Sequence, residues 1–184
     1  MKKLLFSILL LLSFTVSSFG QKYFTRNGYV RFFSKTPMEN IEAINNQASC
    51  IVDMGTGEVV SKMLLTAFQF EKALMQEHFN ENYVESEKFP LATLKAKIVN
   101  LKEIDVSKKG INNVTLDADI TLHGATHHYT LNGTVENQNG KLYALCTFIV
   151  TPSDFEIKIP KAVENNIAKE VEVNVKFELE TLNH

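Results

Sequence analysis

After residue 20, apolar and polar residues alternate with a period of two over most of the chain. The clearest run is near the C-terminus, where Val171, Val173, Val175, Phe177 and Leu179 interleave with Glu172, Asn174, Lys176 and Glu178. Alternation of this kind gives a β-strand one dry face and one wet face. Val114, Leu116, Ala118, Ile120 and Leu122 repeat it against Thr115, Asp117, Asp119 and Thr121, as do Ala92, Leu94, Ala96 and Ile98 against Thr93, Lys95 and Lys97. The pattern predicts eight strands, at residues 22–34, 47–53, 58–67, 91–102, 113–122, 127–136, 141–151 and 170–180. Hairpin-type turn sequences separate several of them: Met54-Gly55-Thr56-Gly57, Lys108-Lys109-Gly110, His123-Gly124-Ala125-Thr126 and Asn137-Gln138-Asn139-Gly140.

Three helical interruptions are expected. Thr36-Pro37-Met38-Glu39 reads as a capping box with proline at the first helical position, and Met38, Ile41 and Ile44 then share one face of the helix it opens. A second helix is predicted from Gln69 to Asn80, with Phe70, Leu74 and His78 spaced by four, and a third from Ala162 to Lys169. Eight one-sided strands form either a sandwich or a closed barrel, and closure removes the exposed edges. An eight-stranded barrel can be filled by its own side chains or can hold one slender ligand, and periodicity is compatible with both.

The first residues change the picture. Lys2 and Lys3 precede an apolar run from Leu4 to Leu12, and small residues flank Phe19 in Ser18-Phe19-Gly20. This predicts a secretory signal peptide over residues 1–20, cleaved near Gly20, with the protein periplasmic or secreted and residues 21–184 forming one domain. The apolar run falls well short of the ~20 residues that a membrane-spanning helix needs, and no cysteine stands at the cleavage site, so no stable membrane anchor is expected. Without the two leader lysines, 17 of the 19 basic residues face 21 acidic ones, with the signs interspersed. No basic stripe invites nucleic acid. Cys50 and Cys146 would be in an oxidising compartment, but they sit in strand-like runs that a simple meander does not make neighbours, which favours two free thiols.

Three stretches resemble the YceI-like proteins, whose exported members have an extended, lipocalin-like antiparallel barrel that binds polyisoprenoids. Met75-Gln76-Glu77-His78-Phe79-Asn80, continuing through Tyr83, Ser86, Phe89 and Pro90 into the strand from Ala92 to Ile98, is similar to the family's central segment. Ile120-Thr121-Leu122-His123-Gly124-Ala125-Thr126 with His128-Tyr129-Thr130-Leu131 resembles its Gly-x-Thr hairpin. Phe148 through Ser153-Asp154-Phe155-Glu156-Ile157, and then Ile167 to Val171, resembles its Ser-Asp-Phe-Gly-Ile strand end and closing strand. Glu156 stands where the family often has Gly, and His128 where it often has Pro.

The resemblance implies an all-β, eight-stranded antiparallel lipocalin-like barrel with short helices. Its implied function is binding, storage or transfer of a long-chain isoprenoid lipid, of polyprenyl phosphate or quinone type, in the cell envelope; a homodimer is left open. On the period-two pattern the tail would meet inward residues, namely Leu94, Ile98, Leu116, Ile120, Leu131, Phe148, Val173 and Val175, with Phe68, Phe70 and Phe177 on core-facing or helix-facing positions. Small or β-branched inward residues (Ala92, Ala96, Ala118, Ala144, Val171, Val173) lean toward a hollow interior.

The alternative is a metal-dependent or hydrolytic enzyme. His123, His127 and His128 bracket one hairpin, but a metal site needs a further ligand and supporting contacts that nothing in the sequence marks. His78 is expected to be a partly buried, satisfied histidine rather than a base. Glu77, His78, Asp154 and Cys50 can be arranged on paper into a nucleophile–base–acid set, yet no nucleophile elbow presents one, and Gly55-Thr56-Gly57 lacks the residues of a phosphate loop. No enzyme activity, cofactor or metal is therefore expected.

Overall fold

The structure is a computed structural model that describes residues 21–182; the predicted leader lies outside the described residues. Eight long strands make the wall: β1 (Lys22–Lys35), β2 (Asn40–Asp53), β3 (Glu58–Leu64), β5 (Leu91–Ile98), β6 (Gly110–Leu122), β7 (Ala125–Gln138), β8 (Lys141–Val150) and β9 (Val171–Thr181). Every pairing is antiparallel, in the order β1-β9-β8-β7-β6-β5-β3-β2, and β2 pairs back onto β1 to close the barrel. A two-residue strand, β4 (Gln69–Phe70), continues the edge of β2 beyond β3 by pairing with Ala43 and Ile44.

Parity explains the wall. Cross-strand neighbours such as Ala96, Ala118 and Tyr129, or Ile98, Leu116 and Leu131, all point inward, while Lys95, Asp119 and His128 lie in register outside. Two hairpins are two-residue turns whose central residues both have positive φ: His123 (51°) with Gly124 (79°), and Asn139 (56°) with Gly140 (89°). That twist matches the strands they join.

The capping-box helix is not formed. Residues 40–46 are instead the first half of β2, and Thr36 to Glu39 make the β1–β2 turn. The local hydrogen bond is the expected one, with the Glu39 amide donating to Thr36 Oγ1 at 3.0 Å, but it closes a hairpin. Ile41, Ala43 and Asn45 then alternate inward against β1, and this long pairing overrides the helical spacing of Met38, Ile41 and Ile44. The second predicted helix is shorter: α1 (Ala73–His78) follows β4 and widens into a π-helical turn over Phe79–Tyr83, where the Val84 amide reaches Phe79 O at 2.9 Å. The third is reduced to one 3₁₀ turn, Lys161–Val163, after which the chain crosses the barrel end and the Ala168 amide donates to Ser34 Oγ at 2.8 Å. Among the described residues, no helix is long and apolar enough to cross a membrane.

Candidate functional site

The barrel is hollow. A chamber of about 470 Å³ occupies the half toward the β1–β2 turn, and a second of about 180 Å³ lies deeper. Val30, Met63, Ala92, Ile120, Phe148 and Val173 line both and so form a waist between them.

The outer chamber is roofed by segments that are not part of the wall: β4, α1 and its π turn, and the long β8–β9 connection through Pro152, Ile157, Ile159, Val163 and Ile167. Phe32, Phe68, Phe70 and Phe79 form an aromatic cluster on its side, with ring centroids 5.1–5.7 Å apart. Tilted, edge-on and offset-stacked ring pairs each add about 0.5–1.5 kcal/mol beyond area burial, and through Phe79 they fix the π turn that follows α1 against the barrel.

The charged groups lining this chamber, Glu39 and Lys72, sit at its rim and are paired at 3.2 Å. Asn166 Nδ2 donates to the other oxygen of Glu39 at 3.2 Å, so one carboxylate joins the β1–β2 turn, the approach to α1 and the β8–β9 connection. The hydrogen bonds from Asn166 and Lys72 hold the Glu39 carboxyl below its ordinary range. The inner chamber has no charged lining residue; its few polar side chains are Ser61, Thr93, Thr134 and the thiols of Cys50 and Cys146.

All the residues expected to face a ligand line this space. Phe68 and Phe70 line the outer chamber, and Leu94, Ile98, Leu116, Leu131, Val175 and Phe177 the inner one. Ile120, Phe148 and Val173 are at the waist. Of the small inward residues, Ala92, Ala144, Val171 and Val173 line the cavity, whereas Ala96 and Ala118 are packed side by side in the wall and do not. The sequence reading missed Phe32, Tyr83, Val84, Ile157 and Ile159. Parity along Val30-x-Phe32-x-Ser34 could have found the first; the others lie in segments with no periodicity.

The histidines do not converge. His123 is held by Phe155 O (3.0 Å) and Glu85 (2.8 Å), clipping the segment after the π turn to the β6–β7 hairpin. His128 lies outside the barrel between Asp119 (2.9 Å) and Asp117 (2.8 Å), which raise its pKa, the hydrogen bond to Asp119 first. His127 meets the Phe155 ring edge-on. His78 is exposed at the cavity rim rather than partly buried, because the π turn directs Phe79 inward instead. Among the described residues no group of three His, Cys, Asp or Glu is placed to hold a metal ion. Cys50 and Cys146 are free thiols on strands that β1 and β9 separate in the sheet, and burial pushes Cys50 up to about 12, where it is no nucleophile.

A family model of the YceI-like domain matches residues 12–179. The chain belongs to the YceI-like family. Among solved structures, this YceI-like barrel is similar to a polyisoprenoid binding domain from Saccharophagus degradans, with TM-score 0.75 and 13% identity over 89% of this chain and 99% of that one. It is also similar to BcnA of Burkholderia cenocepacia (TM-score 0.69, 15% identity, 84% and 96% coverage) and to the YCEI protein of Campylobacter jejuni (0.53, 11%, 95% and 91%). At these identities the likeness is one of fold. A search of curated proteins finds no match.

The departure of this YceI-like chain at Glu156 has a physical correlate. Glu156 ends the 3₁₀ turn Pro152–Phe155 with φ 59° and ψ 16°, a left-handed conformation that glycine adopts freely and that costs other residues about 1–2 kcal/mol. The turn buries Phe155 and swings Ile157 under the roof of the outer chamber, so the strained residue helps set the cavity's ceiling.

Proposed function

We propose that this protein binds a long-chain isoprenoid lipid in the cell envelope, with the tail threaded through the waist into both chambers, for storage or transfer and without chemistry on the ligand. The observation that carries this reading is the cavity itself: about 470 Å³ joined to about 180 Å³, lined by aliphatic and aromatic side chains, with charge confined to the rim. Its larger part alone lies within the roughly 300–1,000 Å³ of ordinary ligand pockets. A linear, branched hydrocarbon suits such a space, since each buried methylene contributes about 0.8 kcal/mol without a strong polar contact. Family membership and the fold likeness to a polyisoprenoid binding domain support the ligand class. Export with cleavage near Gly20 is part of the same proposal and rests on the leader pattern of residues 1–20.

The test is mass spectrometry of protein purified from its host under non-denaturing conditions. A prenyl lipid bound in stoichiometric amount, on a chain that begins near Gln21, is the expected result. A cavity that carries ordinary fatty acids in every preparation, or none of whose ligands contains isoprene units, refutes the isoprenoid assignment.

A further inference from the structure

The rim decides which head group the cavity accepts. Glu39, Lys72, the exposed imidazole of His78 and the phenol of Tyr83 are the titratable groups that line the outer chamber, with the Asn166 amide beside Glu39. Lys72 is already paired with Glu39 at 3.2 Å, and the two are not equally placed: the lysine side chain is 62% exposed, the carboxylate 27%. The positive member therefore reaches further into water than the negative one. Asn166 fixes the carboxylate from a second side at 3.2 Å.

A phosphate arriving here meets a carboxylate at the entrance and a lysine whose charge is already matched. Anionic oxygens drawn from water need a free cation or several hydrogen-bond donors in return, and like charges at such a separation repel. A carbonyl or hydroxyl head asks for less: a single donor, which the Asn166 amide, Lys72 or His78 can offer without a net charge crossing the rim. Resting on the isoprenoid reading above, we infer that this barrel selects isoprenoids with an uncharged, hydrogen-bonding head, such as a prenylated quinone or a polyprenol, over polyprenyl phosphates of the same tail.

The test uses the mature chain and three ligands of matched tail: a polyprenol, its monophosphate and a prenylated benzoquinone. Each is titrated by displacement of a fluorescent prenyl probe. Wild type should bind the quinone and the alcohol at least about tenfold more tightly than the phosphate. Glu39→Gln keeps a side-chain oxygen for Asn166 but removes the negative charge and frees Lys72; it should narrow that gap severalfold by tightening phosphate binding. Lys72→Met, at an exposed position where folding is not at stake, should widen it. Equal or tighter binding of the phosphate by wild type, or a gap that Glu39→Gln leaves unchanged, overturns the inference and leaves the isoprenoid reading standing. Failure of all three ligands to bind overturns both.

Discussion

Ala92 lines both chambers from β5, at the waist, and its Cβ points into the passage between Phe148, Ile120 and Val173. Ala92→Phe puts a ring into that passage. The space below it is about 180 Å³ against about 470 Å³ above, so rather more than a quarter of the cavity is cut off. Set against the ~30 Å³ that each water takes in the liquid, the lower chamber has room for at least one five-carbon isoprene unit. Expelling that unit loses about 1.5 kcal/mol at ~0.3 kcal/mol per heavy atom, with about 4 kcal/mol as the ceiling from methylene burial. The first figure alone is about tenfold in affinity.

The substitution should therefore weaken binding of a long prenyl chain at least about tenfold while leaving a two-unit prenyl alcohol, which the outer chamber holds by itself, nearly unaffected. Because the ring enters empty space, thermal stability should change by less than the ~1–3 kcal/mol of an overpacked core. The assay is a set of dissociation constants against tail length for wild type and variant, with melting temperatures alongside. Equal dissociation constants for the long chain in a folded variant would show that the tail does not pass the waist, and the threading mechanism would be wrong.

Replacing Glu156 by Gly relieves the left-handed strain and should raise the unfolding free energy by about 0.5–1 kcal/mol after the entropic penalty of glycine, read by chemical denaturation. Gly28 lies at the irregularity of β1 with the Phe177 ring where a Cβ would stand, so Gly28→Ala should destabilise by about 1–3 kcal/mol or drive the ring into the inner chamber; an unchanged melting temperature together with unchanged ligand capacity would contradict the packing. His128, raised by its contacts with Asp119 and Asp117, should titrate above an ordinary histidine by NMR, and Asp119→Asn should bring it down. The sign follows from the direction of the shift: this pair's contribution is complete below the ordinary histidine value and is lost as pH rises through the folded one. For Glu39, held low by Asn166 and Lys72, the order is reversed, and roof contacts should loosen as pH falls through its folded value, seen as faster amide exchange over residues 161–168.

Strands β6 and β9 were legible because parity is a local property and their inward faces are apolar almost without interruption. The first half of β2 was not, since Thr36-Pro37-Met38-Glu39 makes the same side-chain-to-amide bond in a hairpin as in a helix cap, and only the register with β1 distinguishes them. The segment from Ala162 to Lys169 takes its shape from distant partners, Ser34 and Glu39, which no window of sequence contains. The wall of the site was equally readable: parity named Leu94, Leu116, Ile120 and Val173 as inward-facing. Parity could not show that Ala96 and Ala118 would cover each other while Ala92 and Ala144 lined the space, because that depends on how the closed wall curves. The roof, with Tyr83, Val84, Ile157 and Ile159, came from connections without periodicity, whose placement over the cavity no local pattern encodes.

Closure through β1 and β9 sets the order in which the molecule can be assembled. β1 begins at Lys22, yet its partner on that side begins at Val171, so the first strand made waits for the last. Until then β1 and β8 are open edges of a sheet whose apolar face has no lid, the state in which such proteins are most prone to associate with one another. Contacts of such sequence separation also make folding slow relative to helical domains of equal size. A chain cut anywhere in its final strand should therefore behave as an aggregation-prone ribbon rather than as a slightly weakened barrel, and the apolar cavity does not exist before that strand arrives.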